Sequence, residues 1–276
     1  MGSLVVRKEA SAMLAAWLVV ILVAANGLAQ QAPKQTPSET AEPDLEQIVK
    51  RMEEVQAENR LRTPAYTMTR DYRLFGNDEQ QLQSQVIAEV YFVPPSTKSF
   101  RIDKAEGNDR GRMVVQHILS SEAAASKNNQ LSAAISSQNY DFGLQGMDVI
   151  DGYPCWVLRL QPKREEKSLV AGSAWIDQIT YLVRRVEGDM AKSPSWWVKR
   201  VHVTAIYGDV SGVWLQTDTE ATADVRLVGR HVLVGHLLKL ETSNEVTHLA
   251  TAPQPWRIFD HTQTVAPLVG FGFITR

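Results

Sequence analysis

The chain has 276 residues, with 29 Lys and Arg against 31 Asp and Glu, and a formal net charge of −2. That balance, with no Lys/Arg block anywhere, argues against nucleic acid as a partner, because phosphate binding needs a concentrated basic patch. The lone cysteine, Cys155, excludes an internal disulfide and lies far from the N-terminus, so neither covalent cross-linking nor N-terminal cysteine lipidation is available.

Residues 1–29 read as a cleavable signal peptide. Arg7 and Lys8 supply positive charge ahead of the uncharged stretch Ala12–Ala25. Its 14 residues fall short of the ~20 that a membrane helix needs. Gly27-Leu28-Ala29 then places small residues at the positions a signal peptidase inspects, which predicts a mature N-terminus at Gln30 and a periplasmic chain. Residues 30–43 carry three prolines and no bulky apolar side chain, the composition of a disordered tether.

From residue 44 the pattern becomes that of a folded domain, expected to run to 248. Asp44 is a suitable N-cap, with Gln47 three positions on, and Leu45, Ile48, Val49, Met52 and Val55 recur on one face of a helix over 45–61. Strands follow at Tyr66–Phe75, Val86–Val93 and Thr97–Asp103, with a turn at Gly76-Asn77-Asp78. Met113, Val114, His117, Ile118 and the alanines after Glu122 predict a second helix near 112–126. After Tyr140 the chain returns to strands, at Tyr153–Gln161, Leu169–Asp177, Tyr181–Glu187, Trp196–Tyr207, Val213–Val225 and Leu227–Glu241. Turns are expected at Asp151-Gly152, Gly188-Asp189, Gly208-Asp209 and Ser211-Gly212.

Long strands with short connections make an antiparallel meander, and nothing alternates strand with helix as a parallel sheet would. Alternation in Trp196–Tyr207 puts Trp197, Val201, Val203, Ala205 and Tyr207 on one apolar face. The expected fold is therefore α+β and β-dominated: a strongly curved antiparallel sheet, an incomplete β-barrel, covered by a few helices around a hydrophobic cavity. The tail 249–276 is proline-rich, and its docking is left open.

No catalytic constellation is legible. The six histidines form no His-Glu-x-x-His pair, and His231 and His236 fall on opposite faces of a strand, so no metal site is expected. Gly172-Ser173 lacks the second glycine of a nucleophile elbow, and Gly270-x-Gly272 lacks the third glycine of a dinucleotide loop, so no cofactor is expected either. What remains is an excess of aromatic and aliphatic side chains on strands. Phe92, Trp175, Trp197, Val201 and Tyr207 are the expected lining of an apolar ligand site.

Three segments carry a resemblance to a known family. Gly152–Lys163, then Ala174–Asp177 and Thr180–Glu187, resemble the central hairpins of the outer-membrane lipoprotein-sorting superfamily. Val93-Pro94-Pro95-Ser96-Thr97-Lys98-Ser99-Phe100-Arg101 resembles that family's early strand, and Ser193–Lys199 with Val225–Arg230 is similar to an uncharacterised branch of it. The superfamily includes a periplasmic lipoprotein carrier, its outer-membrane receptor and a periplasmic regulator that protects an anti-sigma factor. The resemblance implies a half-barrel that receives acyl chains, hence a non-enzymatic carrier for lipid or lipoprotein acyl chains with an inner-membrane donor and an outer-membrane acceptor. The alternative it implies is an envelope-stress regulator that grips a membrane-protein partner through the same fold.

Overall fold

The computed structural model describes residues 44–249, apart from 77–80, 128–132, 194–195, 228 and 243–245. The expected signal peptide, tether and tail lie outside the described residues, as does most of the expected turn after Gly76. Two helices, α1 (Leu45–Arg62) and α2 (Asp109–Lys127), accompany a single antiparallel sheet. Its strands are β1 (Tyr66–Phe75), β2 (Leu82–Val93), β3 (Thr97–Gly107), β4 (Tyr140–Ile150), β5 (Tyr153–Pro162) and β6 (Val170–Asp177). They continue as β7 (Val183–Met190), β8 (Val198–Val210), β9 (Val213–Val225), β10 (Gly229–Thr242) and β11 (Val246–His248).

The sheet order is β3-β2-β1-β10-β9-β8-β7-β6-β5-β4, with β11 on β10. Two meanders, β1–β3 and β4–β10, are thus joined edge to edge where β1 pairs with β10. The outermost strands of this order, β3 and β4, do not pair with each other, so the sheet is open and the expected incomplete barrel is observed.

Helix α1 begins where Asp44 Oδ1 accepts the Glu46 amide at 3.0 Å. It buries Ile48, Val49, Met52 and Val55, together with Gln56 and Asn59. These residues cover β4–β8, packing with Tyr140, Leu158, Leu160, Val170, Ala174, Ile176, Val186, Ala205 and Tyr207. Helix α2 buries Val114, Val115, Ile118 and Leu119 over β1–β3 and the adjoining strands, against Met68, Leu74, Val86, Val90, Val203 and Leu240. Each helix caps its own half of one sheet face, and the two apolar clusters meet along β8.

Several boundaries differ from expectation. Gly188-Asp189 is not a turn but lies inside β7, where Gly188 pairs with Gly172 of β6. Gly208-Asp209 likewise lies inside β8, and the hairpin turns at Ser211-Gly212. Strand β4 was not individually anticipated, because Asp141, Gly143, Gly146 and Asp148 break up its apolar signal. Strands β2 and β3 extend further than expected, to Leu82 and Gly107, in polar stretches where ladder pairing rather than side-chain burial continues the strand.

Candidate ligand site on the apolar sheet face

Strand pairing fixes which side chains share the helix-covered face. Directly paired residues point the same way, so Tyr66, Phe92 and Lys98 form one row across β1, β2 and β3. Met68, Val90 and Phe100 form the next row, then Arg70, Ala88 and Ile102. Further along the sheet, Val201 pairs with Ala223 and Val203 with Ala221 on that same face.

Of the expected lining residues, Phe92 is buried in the β1–β3 half, its ring stacked on Tyr66 with centroids 5.0 Å apart. Val201 is buried in the same cluster, and Tyr207 is buried in the adjoining one beneath α1. Val201, Val203, Ala205 and Tyr207 follow the alternation read from the sequence. Trp197 does not belong to that row. β8 starts at Val198 and carries a bulge between Val198 and Arg200, so Val198 takes the inward position and Trp197 sits half-buried in the preceding turn. Its ring stacks on the exposed Trp196 at 3.7 Å.

Trp175 is on the opposite side of the sheet. It alternates with Ala174 and Ile176, which face α1, and packs instead with Cys155 and Val157. Its indole donates to Asp148 Oδ2 at 2.9 Å, and the Arg185 guanidinium lies 4.9 Å from its ring centroid. Trp175 is therefore removed from the set that could line the helix-covered face; Phe92, Val201 and Tyr207 remain.

The same face holds polar groups that sequence reading passed over. Arg70 and Lys98 are 3% and 5% exposed, respectively, on rows that are otherwise apolar. Their only signal was position: Arg70 falls in the alternating run Tyr66, Met68, Arg70, Tyr72, and Lys98 pairs with Phe92. Burial pushes the Lys98 ammonium down to about 8; the Glu122 carboxylate on α2 acts to raise it and Arg70 to lower it. Burial also pushes the Tyr66, Tyr72 and Tyr207 hydroxyls well above the ordinary phenol range, with Arg70 and Glu122 both within electrostatic reach of each. Strands β1 and β8 are three positions apart in the sheet, about 14 Å if it were flat. The reach from Arg70 to Tyr207 therefore reflects a sheet that curls over this face.

The other face carries ordinary ion pairs. His202 lies 3.0 Å from Asp189, which Arg200 also meets at 2.7 Å, and His236 pairs with Asp218. None of these groups is placed beside a nucleophile and a base in the way acyl or phosphoryl transfer requires.

No protein-family profile and no curated protein matches the sequence. Among solved structures, the chain is similar to a Vibrio parahaemolyticus domain that carries an outer-membrane lipoprotein-sorting designation. That likeness has 12% identity and a TM-score of 0.45, and covers 74% of this chain and 95% of the other. A LolA superfamily protein from Nitrosomonas europaea is similar at 12% identity and a TM-score of 0.38, over 71% of this chain and 92% of that one. A DUF1329 family protein from Desulfovibrio piger is similar at 12% identity and a TM-score of 0.37, over 73% and 92%. At such identities and scores these likenesses bear on no individual residue of the site.

Proposed function

We propose that the chain is a non-enzymatic binding or carrier protein for lipid or lipoprotein acyl chains, acting in the periplasm after export. The observation that supports this reading is the division of the core into two apolar clusters, one under each helix, that meet along β8. In an ordinary two-layer domain a single packed interface closes the sheet face. Here two separate lids leave a seam over Val201, Val203, Ala205 and Tyr207, where parting the helices would expose continuous hydrocarbon. An open sheet with a β3 edge and a β4 edge can widen to admit a chain, whereas a closed barrel of fixed strand number cannot. Phe92, Val201 and Tyr207 are the proposed ligand contacts.

Native mass spectrometry of the purified mature protein should find bound lipid, and an environment-sensitive apolar fluorophore should be displaced by added fatty acid. Val201→Glu, which puts a carboxylate at the seam, should lose both signals while its far-ultraviolet circular dichroism stays that of a β-rich protein. A wild-type protein that carries no lipid and binds no apolar probe overturns the reading.

A further inference from the structure

Two cations lie buried in the hydrocarbon half of the molecule. Among the described residues, Arg70 Nε has no hydrogen-bond partner, nor has the neighbouring Tyr66 hydroxyl. The Arg70 guanidinium lies 5.7 Å from the Tyr72 ring centroid, an attraction worth far less than hydration of a full charge. Lys98 forms no ion pair among the described residues, and Glu122 is the carboxylate whose charge reaches it. Two positive charges against one negative leave an excess cation under α2, in a place where an uncompensated charge is strongly destabilising.

We propose that Arg70 and Lys98, with the Tyr66 hydroxyl, form a receptor for the anionic head group, carboxylate or phosphate, of an amphiphile whose hydrocarbon occupies the apolar face. The inference rests on the carrier reading above and adds to it the chemistry of the cargo. Guanidinium is suited to both head groups, since its planar fork of N–H donors matches two oxygens of a carboxylate or phosphate. An anion here would neutralise the excess charge, satisfy Arg70 Nε and accept from Tyr66. The tail has a path as well: Met68, Val90, Phe92 and Phe100 flank the two cations in adjoining rows. Neutral lipid could fill the same rows but would leave Arg70 unsatisfied.

The test compares ligands that differ only in head-group charge, by displacement of an apolar fluorophore from the full mature protein. Palmitate is set against hexadecanol, and phosphatidylglycerol against diacylglycerol. The wild type should prefer the anionic member of at least one pair by about tenfold or more, as a hydrogen bond to a charged group implies. A preference confined to palmitate identifies a free carboxylate as the source, and one confined to phosphatidylglycerol a phospholipid. Arg70→Gln with Lys98→Met should erase the preference while hexadecanol still binds. Equal binding of charged and neutral partners by the wild type would overturn the anion receptor and leave the carrier reading standing. Failure of every ligand to bind would overturn both.

Discussion

Among the individual residues, the most heavily constrained carboxylate is Asp177, at the end of β6. It is 1% exposed, and its Oδ1 accepts the Ile179 and Thr180 amides at 2.8 Å each. Arg184 Nε donates to Oδ2 at 2.5 Å, and the guanidinium stacks over Tyr153, 3.4 Å from its ring centroid. Burial pushes this carboxyl upward, but the Thr180 amide, the Arg184 guanidinium and the Ile179 amide more than offset it, so it titrates below the usual aspartate value. A depressed folded-state pKa stabilises above the unfolded value, about 3.9, and that stabilisation is lost as pH falls through the folded value. Asp177→Asn keeps the shape but strands the largely buried Arg184, and should cost about 3 kcal/mol at pH 7 in urea denaturation. The gap from wild type should narrow below about pH 4. A gap that stays constant down to pH 2 would mean the carboxylate charge contributes nothing. Cys155 shows the opposite case of burial without partners: its thiol, 0% exposed, is pushed by desolvation up to about 11, which suits an inert core residue.

At the level of elements, the β6–β7 hairpin shows why one turn was misread. Gly188-Asp189 carries the composition of a turn, yet Gly188 is there because two backbones approach closely. A Cβ on Gly172 would lie 2.0 Å from the Glu187 carbonyl oxygen, and one on Gly188 would lie 2.3 Å from that of Ala171. Glycine inside a strand means a turn or a close approach, and spacing alone does not separate them. Gly172→Ala should therefore destabilise by about 2–3 kcal/mol, since only a backbone shift relieves the clash. Gly212→Ala in the β8–β9 turn is the control. Nothing lies within 4 Å of its new Cβ, so only the φ of +77° opposes it, a cost of about 1 kcal/mol. Equal losses at the two sites would remove the close-packing explanation. Alternation was informative where it was unbroken, as in Tyr66–Phe75 and Val213–Val225, whose limits were read correctly. It failed where a bulge shifts the phase: the bulge after Val198 moved Trp197 out of its row. Trp175 was misplaced because a strand apolar on both faces gives no clue to which face is which. The apolar part of the candidate site was thus partly legible, and the Arg70–Lys98 pair was not, because neither residue type announces burial.

For the whole molecule, the decisive question is where a lipid would rather be. Burying an acyl chain of about 16 carbons gains roughly 0.8 kcal/mol per methylene relative to water, on the order of 12 kcal/mol. Relative to a bilayer the same burial gains close to nothing, because lipid tails are already out of water. A binding face built from Val, Leu, Phe and Met side chains can therefore retain a lipid in an aqueous compartment but cannot draw one out of a membrane by burial alone. No helix among the described residues is long and apolar enough to cross a membrane, so no such helix is available there to couple extraction to an anchored machine. A donor that does work and an acceptor with a slightly better site are then required at the two ends of the route. Purified mature protein mixed with vesicles of labelled phosphatidylglycerol should leave nearly all label in the vesicle pellet after sedimentation. Monomeric palmitate presented below its aggregation threshold should be taken up within the mixing time. Spontaneous transfer of most of the phospholipid label to the supernatant would show that the face offers lipid something a bilayer does not, and the requirement for a donor would fall with that result.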